Sequence, residues 1–205
     1  MRVLVACEYS GTVRDAFAAR GHDAWSCDIL PTETPGQHIQ GDVRQVLADG
    51  WDLMVAHPPC TYLTIAGAAY FRNEERTRQR EAAIAFFQEL QAAPISRIAI
   101  ENPKPFKAVM ERVGRYHQRV NPFEFGEPIR KAICLWLKNL PPLFATDIIE
   151  VQPTGHCVRK TGPRAGKKYN YYHHQGKNGH ARSRFFPGIA AAMADQWTKG
   201  RATGE

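Results

Sequence analysis

Short apolar runs alternate with amphipathic stretches through the first half of the chain. Residues 3–6 are continuously apolar and predict a buried strand, and residues 12–20 follow with helical spacing of Val13, Ala16 and Phe17, closed by Gly21. Residues 24–27 predict a second strand ending at Asp28, residues 42–48 a weak helix or turn, and residues 53–56 a strand stopped by Pro58 and Pro59. Residues 73–91 carry the clearest helical pattern, with Ala82, Ala83, Phe86, Phe87 and Leu90 as its apolar face. Residues 97–100 predict another strand before Pro103. Strands alternating with helices over residues 1–115 predict an α/β fold: an open, mostly parallel sheet with helices on both faces. Beyond Pro122 the pattern changes. Residues 123–125 and 133–137 predict two strands, residues 145–184 are turn-rich and resist assignment, and residues 186–197 predict an amphipathic helix with Pro187 in its first turn. Met54, Trp51, Trp136 and Trp197 lie in apolar runs and are expected in the core.

Composition narrows this picture. A chain of 205 residues with 43% hydrophobic content fits one core with a small appendage. No run reaches the roughly 18 apolar residues of a membrane span, and no signal-peptide pattern opens the chain. Five widely spaced cysteines without a CxxC pair predict a reducing, intracellular setting. The formal net charge is +7, and the excess is concentrated: residues 151–184 contain Arg159, Lys160, Arg164, Lys167, Lys168, Lys177, Arg182 and Arg184 but no Asp or Glu. With aromatic residues and histidines interleaved, that block predicts a nucleic-acid contact; a solvated loop is the plainer alternative. His156, Cys157, His173, His174 and His180 match no zinc-finger spacing, so no metal is expected.

Ligands of open parallel sheets sit at the carboxyl ends of strands. There the sequence puts Cys7 and Glu8, Asp28, the His57 to Cys60 turn, and Glu101 with Asn102. Taken singly, Cys60 also fits an inert buried cysteine, and Glu101 a carboxylate at a helix start. Together, a thiol and a carboxylic acid at two strand ends suit attack on carbon 6 of a pyrimidine. The thiolate adds there, and an acid at ring nitrogen 3 neutralises the developing charge. His57 fits a role in tuning the thiol or positioning a cofactor, and equally a structural turn.

The order of these segments resembles the cytosine carbon-5 DNA methyltransferases over most of the chain. Residues 4–11 (LVACEYSG) with residues 13–17 resemble the family's first cofactor motif. Residues 26–29 (SCDI) are similar to its ribose-binding strand end, and residues 41–43 (GDV) to the motif that meets the adenine. Residues 52–60 (DLMVAHPPC) resemble the nucleophile loop, residues 100–103 (IENP) the Glu-Asn-Val motif, and residues 125–131 (FGEPIRK) the segment whose arginine helps bind the flipped base. Residues 186–197 resemble the last helix. The resemblance implies a Rossmann-like methyltransferase fold, S-adenosylmethionine as donor, and a cytosine flipped out of double-stranded DNA. It implies catalytic roles for Cys60, Glu101 and Arg130. It also implies donor contacts from Cys7, Glu8, Tyr9, Ser10, Gly11, Asp28, Ile29, Asp42, Val43 and Pro58. Substrate contacts are expected from Pro59, Asn102 and Lys131, and, from the basic block, Arg159, Lys160, Lys167, Lys168, Arg182 and Arg184.

The chain departs from the family at Val5, where an aromatic residue is usual, at Thr61, where glutamine is usual, and in the missing glutamine before Arg130. A folate-type one-carbon donor, giving hydroxymethylcytosine through the same Cys60 addition, therefore stays open. So do a catalytically silent DNA-binding module and a nucleotide-binding oxidoreductase; the missing GxGxxG opposes the last. The expected organisation is a catalytic unit of residues 1–144 and 185–200 with a basic DNA-recognition region at 145–184. The expected setting is a cytoplasmic, prokaryotic or phage-encoded monomer.

Overall fold

The computed structural model describes residues 1–64, 74–163, 165–172 and 184–198. Among them, seven strands form one sheet in the order β3-β2-β1-β4-β5-β7-β6, from β1 (Arg2–Ala6), β2 (Asp23–Asp28), β3 (His38–Gln40), β4 (Leu53–Ala56), β5 (Arg97–Pro103), β6 (Gln118–Val120) and β7 (Ile133–Lys138). The pairings from β3 through β5 are parallel; within this sheet only β7, antiparallel to both β5 and β6, runs against the rest. This is the mixed α/β, mostly parallel architecture that the alternation predicts.

Period-two alternation along fully buried strands builds two cores. Val3, Val5, Leu53, Val55 and Ala99 face one side, where α1 (Thr12–Ala18) contributes Val13 and Phe17 and α4 (Pro187–Gln196) contributes Ile189, Ala190 and Met193. Leu4, Ala6, Met54, Ala56, Ile98 and Ile100 face the other, against α2 (Glu74–Ala92) and α3 (Lys107–Val113). Helix α1 ends as its sequence predicts: Gly21 takes φ +78°, and the His22 N–H reaches back to the Phe17 carbonyl at 3.3 Å. All four predicted core residues, Trp51, Met54, Trp136 and Trp197, are buried.

Several local expectations are corrected. β5 runs on through Glu101 and Asn102 to Pro103, because β7 pairs with them: Glu101 lies beside Leu135 and Asn102 beside Cys134. The buried stripe of α2 is Ile84, Phe87 and Leu90, with Ala82 turned to solvent. Residues 123–125 do not form a strand. Pro122–Glu124 is a 3-10 turn, stabilised by the Asn121 N–H donating to Glu124 Oε2 at 2.6 Å. Within the basic block, β8 (Gly155–Val158) and β9 (Lys168–Tyr171) pair as an antiparallel ribbon separate from the main sheet. Among the described residues no helix is long and apolar enough to cross a membrane.

Candidate active site

The strand register brings the predicted chemistry to one edge of the sheet. β4 pairs with β5 so that Ala56 stands beside Ile100, which puts His57 beside Glu101. His57 Nδ1 lies 3.3 Å from Glu101 Oε2, and the two side chains are only 12% and 14% exposed. The His57 ring packs on Phe185, with centroids 4.6 Å apart, and its backbone N–H donates to the Ala6 carbonyl at 2.9 Å. Beyond His57 the chain turns through buried Pro58 and exposed Pro59 to Cys60, an exposed free cysteine. The Asn102 side-chain amide donates to the Pro58 carbonyl at 2.9 Å and so clamps this turn to β5.

Cys60 feels its surroundings in two directions. Although the residue as a whole is exposed, protein atoms crowding its sulfur and the Glu101 carboxylate push the thiol above the ordinary value, while the Lys131 ammonium pulls it down. These three side chains therefore share one electrostatic neighbourhood. Lys131 sits over the Phe186 ring at 5.3 Å. Arg130, exposed, has its guanidinium 4.7 Å from the Phe123 ring centroid and 5.1 Å from that of Tyr172. Two rings fix the plane of an otherwise flexible cation. Behind them the Glu127 carboxylate accepts from the Gly188 N–H at 2.8 Å, tying the segment to the start of α4; burial raises the Glu127 carboxyl above its usual range.

A second cluster lies at the ends of β1 and β2. Cys7, with φ +59°, donates its N–H to the Cys27 carbonyl at 2.8 Å. Its thiol is pushed up to about 12, first by burial and then by Asp28, with Cys27 and Asp42 adding to the effect, so the two predicted donor-site carboxylates face the same spot. Asp28 accepts from the Leu30 N–H at 2.9 Å; its other oxygen has no hydrogen bond among the described residues. Asp42 accepts from the Arg44 N–H at 3.0 Å. Ile29 is 74% exposed although it adjoins a buried strand, an apolar face open to a ligand. Ser10 and Gly11 are buried in the turn into α1, Val43 is in the core, and Tyr9 is half-buried, its carbonyl accepting from the Glu33 N–H.

Some expected contacts are redirected. Glu8, expected at the donor, is 4% exposed and turned into the start of α1, where its oxygens accept from the Val13 N–H at 2.7 Å and the Arg14 N–H at 3.1 Å. It is the cap that the first helix lacks at Gly11. Asn102, expected at the substrate, is 1% exposed and works from behind the Pro58 turn. Arg184, expected on DNA, is paired with Glu33 at 3.0 Å. Arg159, Lys160, Lys167 and Lys168 are exposed on and around the β8–β9 ribbon; Arg182 lies outside the described residues, as do His173, His174 and His180. The described residues contain no group of three or more His, Cys, Asp or Glu able to hold a metal ion.

Sequence reasoning also passed over the buried Arg14. Its guanidinium donates to Ser26, Thr32, Thr34 and Pro35, and so fixes the loop that follows Ile29. Thr32 and Thr34 lie 18 and 20 residues along the chain from Arg14, so no local pattern marks this network.

No family model matches the sequence, and no curated protein matches it. Among solved structures, the chain is similar to a candidate DNA modification methyltransferase encoded within an E. coli prophage, with 14% identity over 67% of this chain and 46% of that one, at a TM-score of 0.45. It is similar to the Entamoeba histolytica methyltransferase EhMeth, with 14% identity over 73% of this chain and 57% of that one, at a TM-score of 0.48. The chain thus spans about half the length of these two neighbours.

Proposed function

We propose that this chain is a DNA cytosine-5 methyltransferase that uses S-adenosylmethionine, with Cys60 as nucleophile and Glu101 as acid. The observation that carries the reading is the shared neighbourhood of an exposed Cys60 thiol and a largely buried Glu101 at the ends of adjacent strands. In this reading the Cys60 thiolate forms a bond to carbon 6 of a flipped cytosine. The carbon 5–carbon 6 π pair shifts toward carbon 4, the carbon 4–nitrogen 3 π pair moves onto nitrogen 3, and Glu101 gives nitrogen 3 its proton. Carbon 5 is then an enamine carbon and nucleophilic. After methyl transfer, which leaves the donor as a neutral thioether, loss of the carbon 5 proton to water expels the thiolate, and return of the nitrogen 3 proton to Glu101 restores the neutral ring. Arg130, held between Phe123 and Tyr172, bears on the base, and Lys131 favours the thiolate.

The second cluster fits the donor. When bound, S-adenosylmethionine supplies an electrophilic methyl group on a sulfonium. Asp28 and Asp42 provide negative charge and acceptors for ribose hydroxyls and the adenine amine, and Ile29 an apolar surface for the ring. The cationic donor is favoured over its rivals on charge. The first N–H groups of α1, which would cradle a pyrophosphate, are already taken by Glu8. Acidic groups likewise oppose the carboxylates of a folate. The exposed basic ribbon supports DNA as the substrate polymer.

The test is mass spectrometry of nucleosides from DNA incubated with the protein and methyl-deuterated S-adenosylmethionine. The expected product is labelled 5-methylcytosine, lost in Cys60→Ala with DNA binding retained. Labelled N4-methylcytosine or N6-methyladenine, or full activity in Cys60→Ala, rejects the proposal.

A further inference from the structure

His57 is tied to Glu101 more tightly than a turn histidine needs to be. The two residues follow an aligned pair on adjacent parallel strands, Ala56 and Ile100, whose side chains enter the core shared with α2 and α3. By strand alternation His57 and Glu101 take the opposite face, where Phe185 closes over the imidazole. At 12% and 14% exposure the contact between Nδ1 and Oε2 is poorly screened by water. Nε2 is buried with no hydrogen-bond partner among the described residues. Nδ1 is thus the ring nitrogen that meets a polar partner, and a proton assigned there is donated to Glu101.

We propose that His57 is the positioning residue for Glu101, a role that rests on the cytosine-addition reading above. Its Nδ1–H holds Oε2, leaving Oε1 to meet the base. As the bond from Cys60 sulfur to carbon 6 forms, the ring electron pair settles on nitrogen 3 and takes from Oε1 the proton that the Cys60 thiol gave up to the Glu101 carboxylate on becoming a thiolate. Glu101 is left as a carboxylate, and the His57 Nδ1–H, which stays in place, stabilises that charge. Nothing is oxidised or reduced. Phe185, packed on the imidazole with centroids 4.6 Å apart, limits its rotation.

Two substitutions separate this role from packing. Asparagine at position 57 puts an amide N–H near the place of Nδ1 but gives up most of the packing on Phe185. Phenylalanine keeps that packing and has no donor. The readout is release of tritium from carbon 5 of labelled cytosine in DNA, which reports the addition step with no methyl donor present. Melting temperature and DNA affinity are measured on the same preparations, and His57→Leu replaces His57→Phe should the larger ring unfold the protein.

The expected result is that H57N exchanges within about threefold of wild type. H57F should fall on the order of 10- to 100-fold in rate at saturating DNA, with half-saturation unchanged, as for loss of a hydrogen bond to a charged group. An H57F protein as fast as wild type, or an H57N protein as slow as H57F, overturns the positioning role while leaving the addition chemistry standing. Wild-type protein that binds DNA and releases no tritium overturns the addition chemistry itself, and the positioning role with it.

Discussion

The Cys60 thiol sits between opposing charges, and their signs give separable predictions. Glu101 moves its ionisation to higher pH and Lys131 to lower pH, with burial the largest effect, also upward. A raised thiol holds less thiolate at neutral pH, and its reactivity climbs only as pH passes the elevated midpoint. Glu101→Gln removes the opposing charge, so alkylation of Cys60 by iodoacetamide moves to lower pH. Methyl transfer in the same variant falls by about 10²- to 10⁴-fold, because the acid is gone. Lys131→Met moves alkylation the other way. Peptide mapping is needed to resolve Cys60 from exposed Cys157. Glu101→Gln leaving the alkylation curve in place would mean that the two groups do not communicate. At this scale the sequence is legible for residues that end apolar runs, since Cys60, Asp28 and Glu101 all lie near the carboxyl ends of strands. It is less legible for parity. Glu101 and Asn102 look like one motif, but β7 extends β5 through both, so they point to opposite faces and Asn102 is buried. Glu8 misled for a similar reason: no local pattern says whether a carboxylate before a helix serves a ligand or the helix's own N–H groups.

Helix α4 shows how an element can carry a site that it does not enter. Its second residue, Gly188, approaches the 122–131 segment so closely that an added Cβ would stand 2.0 Å from the Phe125 carbonyl oxygen. The Glu127 carboxylate pins the same residue. In an open helix, alanine for glycine would gain roughly 1 kcal/mol. Here backbone meets backbone and cannot yield as a flexible side chain can, so Gly188→Ala should instead destabilise by about 1–3 kcal/mol. Urea denaturation reads the sign; a stabilised variant would show that the approach is loose. Elements with a full period of apolar residues, from β1 and α1 to α4, are readable in the sequence. β3 and β6 have three residues each, and their existence depends on neighbours that the local sequence does not show. Residues 123–125 have the composition of a strand, but the turn stabilised by Asn121 and Glu124 wins locally.

Across the whole molecule, charge is divided by task. Asp28 and Asp42 gather around Cys7 at the proposed donor end of the sheet, whereas Arg159, Lys160, Lys167 and Lys168 lie on or beside a ribbon that is exposed over residues 156–163 and 165–170. A two-stranded ribbon alone is marginally stable, so one that projects its charges is better explained by an external partner than by the core. Replacing the four cations with glutamine should leave the melting temperature nearly unchanged. It should lower the slope of log affinity for DNA against log salt by about 0.9 for each phosphate no longer neutralised. An unchanged slope would remove the ribbon from the DNA interface. The basic block is visible in composition, but its folding into a ribbon is not, because the described side chains of its strands bury no apolar stripe. All of these scales serve one claim, that the Cys60 sulfur bonds to cytosine. Incubating the protein with S-adenosylmethionine and DNA bearing 5-fluorocytosine blocks loss of the group at carbon 5 and so holds the adduct for peptide mapping. The account predicts the nucleotide mass on the peptide containing Cys60; no adduct, or one on Cys7 or Cys157 instead, would contradict it.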